Sequence, residues 1–181
     1  MYEAIIFLTE GFEEIEAVTT LDILRRGGVN AASVSLTGER VVKGSRNISV
    51  TADLIFDDLR DVSYTMLILP GGPGTPNYKN HEILLELLRI HNSKGYRLAA
   101  ICAAPTIFGM LGFLSDKTAT CYPTMESELN AAKISQDAVV TDGNITTSRG
   151  PATSIEFALE LVRIIKGDPE ANEVASAILF S

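Results

Sequence analysis

The chain of 181 residues is 46% hydrophobic and 21% charged, a balance that suits one soluble domain, spanning 1–181, with a well-filled core. Its net charge of -8 argues against a broad nucleic-acid surface or an anionic membrane as partner, and no stretch approaches the roughly 18 apolar residues of a spanning helix. Two cysteines and two histidines are too few for a disulfide framework or a zinc cluster.

In chain order, residues 2–8 are a compact apolar run that reads as a buried strand, with an acid where a signal peptide would carry bases. The expectation is therefore a cytoplasmic protein with reduced thiols and no metal. Residues 13–26 read as a helix whose apolar face is Ile15, Val18, Leu21 and Ile23, stopped by Gly27-Gly28. Residues 30–36 return as a strand, and residues 41–52 form a short ribbon around Lys43-Gly-Ser-Arg46. A strong strand over 64–69 runs into Pro70-Gly-Gly-Pro-Gly74, followed by a helix over 81–94 and a strand over 97–101. The spacing then predicts a helix over 105–111, a strand over 118–122, and a hairpin of 139–140 with 145–148 turning at Asp142-Gly. Helices over 153–165 and 169–179 close the chain. This alternation implies a mainly parallel sheet with helices on both faces.

In such sheets function sits in the loops beyond the carboxyl ends of the strands, which here are residues 9–16, 70–74, 102–105 and 148–153. Cys102 falls at a strand-to-helix turn with almost no loop, among the small residues Ala99, Ala100, Ala103 and Ala104. Pro105 suits the first helical turn, and N–H groups at a helix start favour thiolate and can hold a developing oxyanion. The competing reading of Cys102 is a small buried apolar residue. The glycines of 70–74 match neither a dinucleotide nor a Walker fingerprint, leaving a plain turn or a second oxyanion donor. Glu13, Glu14 and Glu16 are either surface acids that complement the helix dipole or, for Glu16 beside Ile15 and Ala17, a buried acid kept protonated. A protonated carboxyl there can donate to a thiolate and then serve as acid or base.

At these residues the chain resembles the ThiJ/PfpI family, in the branch of the Parkinson-disease-associated deglycase. The resemblance runs through Gly11-Phe-Glu-Glu-Ile-Glu16, Asp22-Ile-Leu-Arg-Arg26, Ser45-Arg46, Leu69-Pro-Gly-Gly72, Ala99-Ala-Ile-Cys-Ala-Ala-Pro-Thr106 and Thr147-Ser-Arg-Gly-Pro-Ala-Thr-Ser154. It implies a flavodoxin-like three-layer α/β sandwich, similar to class I glutamine amidotransferases. Cys102 would be the oxidation-sensitive nucleophile and Glu16 the protonated acid touching its sulfur. Gly72 and Ala103 would offer oxyanion N–H groups. A homodimer is implied, with Arg46 approaching the partner and Arg26, Gly150 and Pro151 lining the same region. Tyr122 stands where some relatives place a histidine, and it remains able to donate to a substrate oxygen. His81 and His91 do not match that position and are expected at the surface.

The implied activity is a cofactor-free glyoxalase or deglycase acting on small reactive aldehydes such as methylglyoxal. The alternative is an oxidative-stress sensor or redox-regulated chaperone that works through Cys102 oxidation. An intracellular protease or amidase is disfavoured, because no imidazole is placed to activate the thiol.

Overall fold

The computed structural model describes residues 2–59 and 64–180. Six strands run in register in one sheet, namely β1 (Ala4–Leu8), β2 (Ala31–Ser35), β5 (Leu54–Ile55), β6 (Met66–Leu69), β7 (Arg97–Ile101) and β11 (Ile145–Ser148). All are parallel, and β10 (Val139–Asp142) adds an antiparallel edge through a hairpin with β11. The order is β10-β11-β7-β6-β1-β2-β5. Short pairs lie outside this sheet: β3 (Val41–Lys43) with β4 (Ser49–Thr51), and β8 (Thr118–Ala119) with β9 (Lys133–Ile134).

The strands read as continuous apolar runs because both faces are covered. Ala4, Ile6 and Leu8 of β1, with Ala99 and Ile101 of β7, pack under α1 (Glu14–Arg26), α5 (Ser154–Lys166) and α6 (Asp168–Ala177). Ile5, Phe7, Leu98 and Ala100 point the other way, toward α2 (Pro76–Lys79), α3 (Glu82–Ser93) and α4 (Pro105–Met110). This is the expected flavodoxin-like sandwich. Chain order reverses between β1 and its neighbours β2 and β6, so the loops leaving β1 and β6 diverge there and open a crevice.

Several expectations need correction. Ile15 and Val18 do not form the inner face of α1; they are 54% and 48% exposed. The buried side carries Glu16, Ala17, Thr20, Ile23 and Leu24, because α1 lies so close to α5 that a Cβ at Gly27 would stand 2.6 Å from Val162. His91 is buried, and His81 is half-buried at the start of α3, where its Nδ1 accepts from Leu84 N at 3.2 Å. The strand expected over 118–122 ends at Ala119, and the strands β5 and β9 and the helix α2 were unforeseen.

Candidate active site

Cys102 follows β7 directly and has φ 64°, a left-handed conformation that L residues avoid at roughly 1–2 kcal/mol. Its neighbours hold it there. Cys102 N donates to Ser148 O at 2.9 Å, and Tyr122 N donates to Cys102 O at 2.8 Å. Gly71 packs against the same turn, since a Cβ on it would lie 2.7 Å from Cys102 Cβ. The side chain is thereby lifted off the sheet toward the crevice while remaining only 8% exposed.

The loops after β1 and β6 are laced together behind it. Glu13 N donates to Gly71 O at 2.9 Å and Gly74 N to Gly11 O at 2.9 Å. Gly72 has φ 102°, and a Cβ there would meet Glu13 N at 2.5 Å, so this position admits only glycine. That path aims the Gly71 N–H at Glu16 Oε2, 2.7 Å away, and the Gly72 N–H at the sulfur.

Glu16, in the first turn of α1, is 0% exposed and faces the Cys102 thiol. Among the described residues, Glu16 Oε1 meets no partner at ordinary hydrogen-bond geometry. Burial lifts the Glu16 carboxyl to about 7, against the pull of the Gly71 N–H and the thiol, and the charge of Glu13 pushes it further up. Burial also pushes the Cys102 thiol up, to about 12, helped by the charge and hydrogen bond of the Glu16 carboxylate. The N–H groups of Gly72 and Ala103 pull it down.

A helix start alone therefore does not make this thiol acidic, contrary to the sequence-based expectation; α4 has six residues and desolvation outweighs it. Two of the raising influences vanish when Glu16 holds a proton. The pair thus behaves as one coupled site in which thiolate is favoured with a protonated Glu16.

Cys102 forms the floor of a cleft of about 580 Å³. Arg46, Gly72, Ala103, Tyr122 and Pro151 line it with the thiol. Glu16 lies beneath, and Gly150 stands behind the Tyr122 ring. Tyr122 is 46% exposed at the mouth. Arg26 is elsewhere, paired with Asp22 at 2.7 Å and lining a separate groove with α6. Ten residues of helix separate it from Glu16, about 15 Å. Cys121 is buried and donates to Tyr122 O at 3.3 Å.

Sequence reasoning missed much of the cleft wall. Glu13 and Glu14 are both buried rather than surface acids. Glu13 lines the cleft and accepts from Ser45 Oγ at 3.0 Å. Glu14 anchors the β3–β4 hairpin, accepting from Arg46 N at 2.6 Å. Pro73, Thr75, Pro76, Lys79, Thr106, Met125 and Glu128 complete the lining. Thr106 sat inside a quoted motif and Thr75-Pro76 is a helix-start signal, but nothing local marked Met125 or Glu128.

The sequence model of the DJ-1/PfpI family matches residues 2–164. The chain is 37% identical over 181 residues to protein dj-1beta of Drosophila melanogaster, covering 98% of this chain and 97% of that protein. It is 31% identical over 174 residues to the glutathione-independent glyoxalase DJR-1.2 of Caenorhabditis elegans, covering 95% and 92%. Its structure overlays oxidized Toxoplasma gondii DJ-1 with a TM-score of 0.95 at 30% identity, over 100% of both chains.

The raised Glu16 carboxyl makes stability depend on pH. Folded Glu16 keeps its proton up to about 7, whereas the unfolded group releases it near 4.5. Its contribution is therefore complete below 4.5 and lost as pH rises through 7, on the order of 3 kcal/mol. Urea unfolding between about pH 5 and 8 is expected to show Glu16→Gln gaining stability over the parent as pH rises. A constant difference across that range would contradict the shift.

Proposed function

The chain belongs to the DJ-1/PfpI family, and from that premise we propose that it converts small 2-oxoaldehydes such as methylglyoxal to hydroxy acids, using Cys102 as nucleophile and Glu16 as proton relay. The observation that carries this reading is a thiol on a strained elbow at the floor of an open cleft, backed by a buried carboxyl whose pKa lies near 7.

The thiolate of Cys102 attacks the aldehyde carbon, forming the C–S bond, and the proton on Glu16 passes to the new alkoxide. The Glu16 carboxylate then removes the hydrogen from that carbon, giving an enediolate whose negative oxygen faces the Gly72 and Ala103 N–H groups. Returning the proton to the neighbouring carbon, while the hydroxyl proton of the first carbon passes to the oxygen of the second, yields a thioester of the hydroxy acid. Water, deprotonated by Glu16, attacks the thioester carbonyl and expels the Cys102 thiolate. The sum is aldehyde plus water to hydroxy acid: one carbon is oxidised, its neighbour reduced, and no cofactor enters. Arg46, Tyr122 and Pro151 line the space around the substrate, and in this reading the Tyr122 hydroxyl donates to its ketone oxygen.

A second reading uses the same donors. Oxidation of the thiolate by peroxide would give a sulfinate whose oxygens meet the Gly72 and Ala103 N–H groups and protonated Glu16, the arrangement a redox sensor or redox-regulated chaperone needs. Both readings need a reduced thiol at rest, which fits a cytoplasmic location.

The same reading includes a homodimer. Ile15 and Val18 lie one turn apart on the outer face of α1, and Ile48 is exposed on the β3–β4 hairpin that Glu14 ties to that helix. They border Arg46 and the cleft, so a second copy on this patch would close one side of the site.

Hydroxy acid formed from methylglyoxal without added thiol separates the enzyme from the sensor. Cys102→Ser is expected to abolish turnover, and Glu16→Gln to lower kcat by about 10²–10⁴. Undiminished turnover in either variant would overturn the mechanism. Analytical ultracentrifugation should find a dimer that Ile15→Glu with Val18→Glu converts to monomer; a parent sedimenting as a monomer would rule the dimer out.

A further inference from the structure

Tyr78 has no exposed surface, yet its hydroxyl lies 3.0 Å from Phe7 O and 3.0 Å from Pro70 O. The cause is a break in the ladder between β1 and β6. Met66 N donates to Glu3 O at 3.0 Å, and a parallel ladder repeats that bond at every second residue. Continued along the pair, the repeat would carry the N–H of residue 70 to Phe7 O. Residue 70 is proline and has no N–H, and the register ends at Ile6 with Ile68. The Phe7 carbonyl thus loses its ladder donor at the point where the two strands part to open the crevice. Helix α2 brings Tyr78 to that gap. Pro76 opens the helix, and Asn77 N donates to Gly74 O at 2.9 Å while Tyr78 N donates to Thr75 O at 3.1 Å. The single hydroxyl proton is then shared between Phe7 O and Pro70 O.

Pro70 O is the acceptor that leads to the site. It belongs to the same rigid peptide plane as the Gly71 N–H, with oxygen and hydrogen on opposite sides. Tyr78 holds the oxygen end, and the hydrogen end points at Glu16 Oε2, 2.7 Å from Gly71 N. We propose that Tyr78 is a positioning residue for Glu16, holding the Pro70–Gly71 peptide so that its N–H faces the carboxyl. A donor on the carbonyl draws charge onto its oxygen and strengthens the N–H at the far end. Burial, with the charge of Glu16, holds the Tyr78 hydroxyl well above the usual phenol range, so it keeps its proton. Among the described residues, the other titratable groups acting on Glu16 are Cys102 from the elbow and Glu13 from the loop after β1. Tyr78 does not line the cleft, so its influence runs through the backbone.

This role rests on Glu16 being the proton relay of the proposed function, so the test reads the Glu16 proton and not aldehyde turnover. Glutamate labelled at the δ-carbon is titrated by NMR, the Glu16 resonance being the one lost in Glu16→Gln. Tyr78→Phe removes the hydroxyl alone. With a weaker Gly71 donor the charged carboxyl is less favoured, and the Glu16 midpoint is expected to rise by about half a pH unit. Replacing Tyr78 by meta-fluorotyrosine makes a stronger donor of nearly the same size, and the midpoint is expected to fall. A ring that merely fills space would not give shifts of opposite sign. A midpoint left in place by either variant, or moved the same way by both, would overturn the role. If Tyr78→Phe fails to fold, the fluorinated protein decides alone. Should methylglyoxal turnover fail while the midpoints move as expected, the aldehyde reading falls and the positioning role stands.

Discussion

Glu16 is a carboxyl with no exposed surface, and the arrangement around it follows from the need to accommodate that group. A lone buried carboxylate is expensive, so its charge must be neutralised by a proton or met by donors. The structure supplies one firm donor, the Gly71 N–H, and one thiol. That provision leaves the carboxyl short of full compensation and lifts it into the neutral range. The same shortage gives the thiol its partner: whichever group gives up its proton, the other can hold one against it.

The sheet topology brings these groups together. Glu16 comes from the helix after β1, Gly71 and Gly72 from the loop after β6, and Cys102 from the turn after β7. These strands are neighbours at the reversal of chain order, so three separate loops reach one point without any long excursion. Glycine at 71 and 72 is dictated by that convergence, because a side chain at either position would collide with the elbow or with the adjoining loop. Positive φ at Cys102 is the corresponding strain on the other side, held by the hydrogen bond its N–H donates to Ser148 O of β11 and by the one its carbonyl accepts from Tyr122 N.

The central architecture was legible because strands buried on both faces leave unbroken apolar runs, and because glycines and an elbow cysteine sit at strand ends. Cys102 was singled out on those grounds and Glu16 by its place one turn inside α1, whereas Gly72 and Ala103 entered with the family resemblance. Helix α1 was misjudged on its face: Glu16, Ala17 and Thr20 are buried beside Ile23 and Leu24, while the apolar Ile15 and Val18 face outward. Arg26, which the resemblance put on the partner side, lines a groove separate from the cleft. The cleft wall made by Tyr122, Met125 and Glu128 was not legible because its position depends on where the chain returns after α4. The thiol's direction of shift was misjudged because a sequence shows helix starts but not desolvation.

The central claim is that Cys102 and Glu16 form one coupled protonic site. Its most direct test is the pH profile of Cys102 alkylation by iodoacetamide, in the parent and in Glu16→Gln. Coupling predicts that parental reactivity rises through the neutral range, as the pair loses its first proton, and that the profile moves by more than a pH unit when Glu16 can no longer exchange one. Superimposable profiles, both titrating near the free-cysteine value of about 8.5, would show an isolated thiol and contradict the account.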